Sequence, residues 1–205
     1  PAGASVSYTI DGAAGNGATD VGTYNLVTTI AGGTNYNNLV LNAELEITKA
    51  NITGITFTDG SFVYDGTEKT LAIAGTLPAG ASVSYTIDGA AGNGATDVGT
   101  YDLVAAITGG TNYNDLVLNA ELEITKATIT GITFTDGSFE YDGTEKTLAI
   151  AGTLPAGASV SYVNNGRTDV GSQTVTATIN GGTNYNDLVL NAELEITKAT
   201  ITGIT

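Results

Sequence analysis

Carboxylates are the first residues of this chain whose spacing could support chemistry. Glu121 and Glu123 alternate along the segment AELEITKA, so their side chains would project from one face of a strand. Paired carboxylates perform acid and base catalysis in glycoside hydrolysis, but they need a pocket around the substrate. The neighbouring sequence indicates no pocket. An exposed, solubilising face is therefore the stronger interpretation.

The lysines of the repeated ITKA segment suggest a different reaction. Lys126 lies two and four residues after Ile124 and Leu122, so it continues the predicted buried face of the strand. Lys49 and Lys198 occupy this position in the other copies. One interpretation is that the lysine stem lies on the core and its amine reaches water at the strand end. The alternative is an internal isopeptide crosslink to Asn or Asp, which needs a buried neutral lysine beside an acid. We favour the first interpretation and keep the second as a hypothesis.

Two kinds of turn are candidate binding sites. Tyr36, Tyr113 and Tyr185 each lie between asparagines in a GGTNYN turn, a composition that also occurs at sugar-binding and protein-binding surfaces. The other interpretation is a tyrosine packed over its own sheet. The YDG segments at Tyr64-Asp65-Gly66 and Tyr141-Asp142-Gly143 predict structural turns, in which Asp bonds nearby amides and Gly adopts an unusual backbone angle.

Composition excludes most other chemistry. The chain has no Cys and no His, which removes thiolate nucleophiles, imidazole bases and the commonest ligands of transition metals. Its net charge of −15, with only six basic residues, argues against partners such as nucleic acid or anionic membranes. We therefore expect no enzyme and no cofactor. Calcium alone is left open, because FTDGS, YDG and NYND offer oxygen ligands, although without the spacing of an EF-hand.

The sequence is a tandem repeat. Tyr64 and Tyr141 begin the same phrase 77 residues apart, and Lys126 and Lys198 close corresponding phrases 72 residues apart. The shorter copy has YVNNGRTDVG where the longer one has YTIDGAAGNGATDVG. A deletion is tolerated where the backbone is exposed and unpaired, so DGAAGNGA is predicted to be a surface loop.

The repeats predict the domain organisation. Repeat 1 (1–49) would lack its N-terminal strands, repeat 2 (50–126) would be complete, repeat 3 (127–198) would be complete with a shortened loop, and 199–205 would be the first strand of the next repeat. Because the first residue already lies inside a repeat, we expect the chain to be a segment of a longer protein. In a second possible division of the chain, repeat 1 takes its missing strands from 51–77. In a third, an adjoining segment completes repeat 1.

The apolar residues alternate with polar ones, which is typical of strands with one buried face. In SVSYTI, Val83, Tyr85 and Ile87 share a face, and no segment has the period of a helix. About six or seven short strands in each repeat predict an all-β protein of tandem small antiparallel β-sandwich domains, immunoglobulin-like in type. β-Grasp-like modules lacking a helix are the alternative. No flexible linker separates the repeats, so the sequence predicts an extended rod.

The segment TDVGTY resembles the tyrosine corner of immunoglobulin-like domains, in which a tyrosine hydroxyl bonds to the backbone beside a turn. Gln173 replaces this tyrosine in repeat 3. The corner is therefore not essential to the fold, or repeat 3 has lost some stability.

YDGTEK, LPAGASVSY, TDVGTY and the closing ITKA together resemble the YDG/MBG-type tandem repeats of large secreted bacterial surface adhesins. The resemblance implies a location outside the cell or on the bacterial surface, and no catalysis. It implies a structural spacer or stalk that projects a functional tip from an adhesin or filament. Weak glycan-binding or protein-binding modules that act through avidity are the alternative. Expected partners are neighbouring repeats, other copies in a filament, and a host or matrix glycan or protein, with no membrane insertion in this segment.

Overall fold

The computed structural model describes residues 1–202 and contains strands and turns in that range, with no helix. The all-β class of tandem small β-sandwich domains that we predict from the sequence is confirmed. The strands are β1 (Ser5–Ile10), β2 (Ala13–Ala14), β3 (Gly22–Ala31), β4 (Leu39–Ile47), β5 (Gly60–Val63), β6 (Lys69–Thr70), β7 (Ser82–Ile87), β8 (Ala90–Ala91), β9 (Gly94–Ala95), β10 (Gly99–Thr108), β11 (Leu116–Thr125), β12 (Gly137–Glu140), β13 (Ser159–Val163), β14 (Gly171–Asn180) and β15 (Leu188–Thr197).

The chain divides into two compact units that do not coincide with the sequence repeats. Unit 1 comprises Pro1–Thr58, Ala72–Asn93 and Asp102–Ala120, and unit 2 comprises Asp59–Leu71, Gly94–Tyr101 and the chain from residue 121 onward. Repeat 1 lies wholly in unit 1 and repeat 3 wholly in unit 2. Repeat 2 contributes residues to both, because its long strands β10 and β11 each supply part of both units.

Unit 1 contains a four-stranded sheet in the order β2-β1-β3-β4. β3 pairs antiparallel with β1 and β4, so that Tyr8 lies opposite Thr28, which lies opposite Leu41. The unit also contains the antiparallel pairs of β7 with β8 and with β10. Its core is formed by Ile52, Ile55 and Ile107.

Unit 2 contains a four-stranded sheet in the order β12-β15-β14-β13. β12 runs parallel to β15, with Phe139 opposite Ile196, and β5 runs parallel to the end of β11 in the same way. The sequence did not predict these parallel pairs. They arise because β5 lies at the edge of the sheet beside β11, the last strand of its repeat, and β12 lies beside β15 in the same way.

The core of repeat 3 lies between this sheet and extended segments that precede β13. Leu148, Val175 and Leu194 are buried together, with Phe134 and Tyr162 packed against them. The covering segments form the second layer, in which Thr133 and Ala151 pair through an isolated bridge and not through long strands. Each buried Leu or Val side chain contributes about 1.5–3 kcal/mol through the hydrophobic effect.

The predicted alternation of side chains is confirmed where a sheet has a covered face. Leu122 and Ile124 are buried on β11, whereas Glu121 and Glu123 are exposed. In repeat 1 the corresponding sheet face is less completely covered, since Leu45 and Ile47 are half-buried and Tyr8 is exposed. The counterpart of Tyr8 in repeat 2, Tyr85, is half-buried, contacts Phe57 and accepts a hydrogen bond from the Ile73 N–H.

The segment ITGITFT, which is rich in β-branched residues, is extended chain with one bridge, from Thr56 to Ala74. Two local predictions differ from the structure. The predicted loop DGAAGNGA contains β8 and β9, and β9 pairs with β6. Repeat 3 has the shorter loop but keeps a pairing like that of β6 with β9, since Lys146 and Arg167 form a bridge. The predicted strand at 199–205 is not a strand over 199–202, and residues 203–205 lie outside the described range.

Candidate functional site

Each repeat has a tight turn between its two longest strands, in the GGTNYN segment. We call these segments junction turns because of the contacts described below. They are junction turn 1 (Asn35, Tyr36, Asn37), junction turn 2 (Asn112, Tyr113, Asn114) and junction turn 3 (Asn184, Tyr185, Asn186).

The local sequence fixes the shape of the turn. In junction turn 2 the Gly109 N–H donates to Asp115 Oδ1 at 2.8 Å, and the Tyr113 N–H donates to the Gly109 carbonyl at 3.2 Å. A Cβ atom at Gly109 would overlap the Tyr113 carbonyl, so the position requires glycine. The bond from glycine to the Asp or Asn side chain recurs in the other two turns. The turns are therefore formed by their own repeats.

Two of the junction turns lie against the end of the preceding repeat and the alanine that directly follows it. We call the residues that receive a turn a seat. Junction turn 2 with seat 1 lies within unit 1, and junction turn 3 with seat 2 lies within unit 2. The seats are seat 1 (Asp20, Val21, Lys49, Ala50), seat 2 (Asp97, Val98, Lys126, Ala127) and their sequence counterpart in repeat 3, seat 3 (Asp169, Val170, Lys198, Ala199).

The first asparagine of the turn makes two hydrogen bonds to the seat. Asn112 Oδ1 accepts from the Val21 N–H at 2.8 Å, and Asn112 Nδ2 donates to Asp20 Oδ1 at 2.9 Å. Asn184 makes the same pair of bonds in seat 2, each at 2.9 Å. An amide side chain is suited to this position because it carries a donor and an acceptor side by side.

The backbones of turn and seat also pair. In the first junction the Ala50 N–H donates to the Asn112 carbonyl at 3.0 Å, and the Asn114 N–H donates to the Ala50 carbonyl at 2.8 Å. The same two bonds join Ala127 to junction turn 3, at 3.0 and 2.9 Å. Each junction is thus a short parallel bridge between the seat and the turn.

The ITKA lysines belong to the seats. Lys49 Nζ donates to the Gly110 carbonyl at 2.9 Å, and Lys126 Nζ donates to the Gly182 carbonyl at 2.8 Å. Our prediction that Lys126 continues the buried face is wrong, because β11 ends at Thr125 and the lysine is exposed, as are Lys49 and Lys198. The isopeptide crosslink at Lys49, Lys126 and Lys198 stays a prediction. An intact mass lower by about 17 or 18 Da for each bond would reveal it.

The turn tyrosines fall into two groups. Tyr113 packs against the core of Ile52, Ile55 and Ile107, and the Tyr185 ring meets the Tyr64 ring edge-on at 5.4 Å. Tyr36 has no seat and is 60% exposed. Glycan or protein binding by these tyrosines stays a prediction, and in two of the three copies the ring packs against other residues of the chain.

The tyrosine corner holds the seat in shape. The hydroxyls of Tyr24 and Tyr101 each donate to the carbonyl of the seat aspartate, Asp20 and Asp97 respectively, at 2.9 Å. The predicted corner is therefore confirmed in repeats 1 and 2. It brings the aspartate side chain and the following valine N–H to the turn that binds them.

Repeat 3 replaces the corner with a network that sequence reasoning missed. Arg167 Nε donates to the Asp169 carbonyl at 2.8 Å, and Arg167 Nη2 donates to the Val170 carbonyl at 3.1 Å. Arg167 also donates to the Gln173 side-chain carbonyl at 3.1 Å. Arg167 is the only arginine of the chain and occurs in the copy that lacks the tyrosine. The occurrence of Arg167 and Gln173 in the same repeat could have indicated from the sequence that these two residues act together.

The YDG segments are structural turns, as predicted. Asp65 Oδ1 accepts bonds from the N–H and hydroxyl of Thr67 at 2.9 and 2.6 Å, and Lys69 Nζ lies 2.6 Å from Asp65 Oδ2. Gly66 has φ of 80°, which favours glycine. The bond from Lys69, followed by those from Thr67, holds the pKa of Asp65 well below its ordinary value of 3.8. Repeat 3 repeats this arrangement around Asp142.

The paired glutamates bind their neighbours in the sheet. Glu123 Oε2 accepts from the Ser61 hydroxyl at 2.7 Å, and the Glu121 N–H donates to Asp59 Oδ1 at 2.8 Å. In repeat 3 the corresponding residues, including Glu193 and Glu195, line a cavity of about 410 Å³. Among residues 1–202, no group of three or more acidic, His or Cys side chains is arranged to hold a metal ion. Calcium binding stays a prediction.

Comparisons with known proteins give similarities in structure and in sequence family. Similar solved structures include the I67–I69 fragment of the titin I-band, with 8% identity, 96% of this chain and 89% of that chain covered, and a TM-score of 0.35. The insect immune protein hemolin has 13% identity, with 85% and 56% covered and a TM-score of 0.35. Sidekick-1 immunoglobulin domains 1–4 have 13% identity, with 95% and 66% covered and a TM-score of 0.27. No curated protein matches the sequence.

The sequence itself matches a family model described as the MBG domain, once over residues 53–128 and once over 130–200. The two matches together span more than half of the chain, and they contain both junction turns that occupy a seat. The chain therefore belongs to the MBG domain family and carries two tandem copies of the domain.

Proposed function

We propose that these repeats are a structural spacer in a secreted bacterial surface adhesin or extracellular filament, where they hold a functional tip away from the cell and perform no catalysis. The observation that carries the proposal is the repeated junction. Two successive repeats bind the repeat before them through the same asparagine and the same lysine.

The chemistry of the junction favours a stiff connection. The seat lysine ends one repeat and the seat alanine begins the next, so no flexible linker lies between them. Each junction then adds two bonds from the asparagine side chain, two between backbones and one from the lysine. A typical hydrogen bond contributes about 0.5–1.5 kcal/mol net. Five together are sufficient to keep the turn in its seat most of the time.

The location is proposed from the family and from composition. Resemblance to the repeats of secreted adhesins supports export to the bacterial surface. The net charge of −15 keeps a long exposed array soluble. In the part of the chain that the structure describes, no helix is long and apolar enough to cross a membrane.

The alternative function is weak glycan or protein binding by each repeat, multiplied by avidity. The turn that we considered for this role is used within the chain in two copies, because Tyr113 packs on the core of its own repeat and Tyr185 packs against Tyr64 of the preceding repeat. This favours the spacer. A glycan array probed with the full chain separates the two functions, since specific binding that is lost on replacing Tyr36 would support the alternative.

Solution X-ray scattering of the full chain tests the spacer. We expect an extended profile that does not change when a chelator removes calcium. The double variant Asn112→Ala and Asn184→Ala should have a more flexible profile, because both junctions lose their side-chain bonds. The matched control Asn35→Ala alters a turn without a seat and should scatter like the unaltered chain. A compact profile for the unaltered chain, or no difference between the double variant and the control, would contradict the proposal.

A further inference from the structure

The first and the last strand of each complete repeat lie side by side and run in the same direction. In repeat 2, β5 pairs parallel with the end of β11, from Gly60 opposite Leu122 to Val63 opposite Thr125. In repeat 3, β12 pairs parallel with the end of β15 in the same way. Each pairing therefore joins the two strands that lead to the neighbouring repeats along the chain.

Tension along the chain would load such a pair in shear. In repeat 2 the preceding repeat would pull on β5 from its Gly60 end, and the following repeat would pull on β11 from its Thr125 end. Because the strands are parallel, these two points lie at opposite ends of the pair, and all the bonds between the strands carry the load together. Antiparallel first and last strands would instead be pulled at one end and would open one bond at a time.

Side chains add hydrogen bonds across the same pair of strands. In repeat 2 the Ser61 hydroxyl donates to Glu123 Oε2 at 2.7 Å, and the Thr125 hydroxyl donates to the Phe62 carbonyl at 3.2 Å. The corresponding residues of repeat 3 make the same two bonds, at 2.9 and 3.2 Å. Both complete repeats therefore reinforce the backbone ladder at the same positions.

Both ends of the pair are closed by further bonds. Before β5, Asp59 Oδ1 accepts a bond from the Glu121 N–H at 2.8 Å, and after β5 the Tyr64 N–H donates to the Thr125 carbonyl at 2.9 Å. The corresponding bonds of repeat 3 measure 2.7 and 3.0 Å. The two strands are thus joined along the whole length of the pair.

The core prevents the strands from sliding past each other in small steps. Leu194 and Ile196 of β15 are buried, and Phe139 of β12 packs against the core of repeat 3. A slip of β12 by one residue would turn Phe139 to the opposite side of the sheet. Shear must therefore break several bonds together before the strands separate.

We propose that each of these strand pairs is a mechanical clamp, which keeps its repeat folded when the chain is stretched. The clamp of repeat 2 is β5 with β11, and the clamp of repeat 3 is β12 with β15. The inference rests on the proposed function, because a spacer that holds a tip bears any load applied to that tip. It also gives a role to Glu123 and Glu195, which each bind the first strand of their repeat.

Single-molecule force measurements on the full chain test the clamp by changing the direction of pulling. The chain has no Cys, so two introduced cysteines are unique points of attachment. Attachment at Thr58→Cys and Lys126→Cys, at opposite ends of the clamp, loads it in shear. Attachment at Thr58→Cys and Asn119→Cys, at the same end, pulls β5 away one bond at a time. The second chain also carries Lys126→Ala, so that both chains lack this lysine.

Unfolding of repeat 2 should need at least about twice the force in the shear geometry, because several bonds are loaded together and not one after another. Thr58 follows the buried Ile52 and Ile55, so the load reaches the clamp before these core residues in both geometries. Equal forces in the two directions, or a higher force when both attachments are at the same end, would overturn the proposal.

A double variant tests the side-chain bonds in the shear geometry. Ser61→Ala with Thr125→Val removes both hydroxyl bonds across the clamp and should shorten the lifetime of repeat 2 at a fixed load about 10-fold. The matched control Ser84→Ala removes a serine hydroxyl that bonds the Ala106 carbonyl outside the clamp, and it should leave the lifetime unchanged. A double variant that lives as long as the control would contradict the proposal.

The clamp and the spacer fail in different experiments. A chain with an extended scattering profile, in which repeat 2 unfolds at the same force in both directions, would lose the clamp and keep the spacer. A compact scattering profile would remove the spacer even where the shear geometry needs the higher force.

Discussion

Replacing Asn112 by Ala is the sharpest test of a single junction. The change removes the acceptor for the half-buried Val21 N–H, at 2.8 Å, and the donor to the exposed Asp20 carboxylate, at 2.9 Å. An N–H left without a partner costs about 1–2 kcal/mol, and the exposed bond contributes about 0.5–1 kcal/mol. The junction should therefore be weakened by about 2 kcal/mol, which is about a 30-fold change in its opening equilibrium.

Hydrogen exchange measured by NMR on the full chain, at low protein concentration, detects this opening. The amides to follow are Ala50 and Asn114, because their hydrogen bonds cross the junction but do not involve the altered side chain. Both should exchange about 30-fold faster in the variant. Asn35→Ala, the same change in a turn without a seat, should leave both rates unaltered. The reasoning is refuted if Ala50 and Asn114 exchange at the original rate in Asn112→Ala, or if the control accelerates them equally.

Four further changes test the fold and its electrostatics. Tyr101→Phe keeps the ring but removes the hydroxyl bond of the corner, so the free energy of unfolding of repeat 2, followed by NMR in urea, should fall by about 1 kcal/mol; an unchanged midpoint would show that the bond adds nothing. Leu194→Ala removes a side chain that is 0% exposed and should cost repeat 3 about 2–5 kcal/mol. Val189→Ala, at 57% exposed, should cost about 0.5 kcal/mol or less, and equal losses at the two positions would contradict the described core. Because the folded-state pKa of Asp65 lies below its ordinary value of 3.8, the stability that it contributes is complete above that pH and is lost as the pH falls below it. Lys69→Met should raise the titration midpoint of this carboxyl, measured by its carbon NMR shift, towards the ordinary value, and an unmoved midpoint would argue against the ion pair.

The strands and their inward faces could be predicted from the sequence because they depend on neighbours two residues apart. Leu122 and Ile124 alternate with glutamates, and this alternation alone indicates which side is buried. The tyrosine corner was predictable for the same reason, since Tyr101 bonds a carbonyl only four residues away.

The junctions could not be predicted in this way because they join residues far apart in the chain. Asn112 and Val21 are separated by 91 residues, and no periodic pattern indicates such a contact. The alternation of side chains along the strand placed Lys126 on the buried face. It could not show that β11 ends one residue earlier or that the amine binds a carbonyl of the next repeat. The shape of each seat is encoded locally, whereas the identity of the turn that fills it is not.

The central claim is that a turn of each complete repeat is seated on the repeat before it. Nuclear Overhauser measurements on the full chain test this most directly, through the ring protons of Tyr64 and Tyr185, whose centroids lie 5.4 Å apart. We expect cross-peaks between the two rings, and between the Val98 amide and the Asn184 side chain. Absence of both sets of cross-peaks, in a chain whose strands are otherwise intact, would contradict the claim.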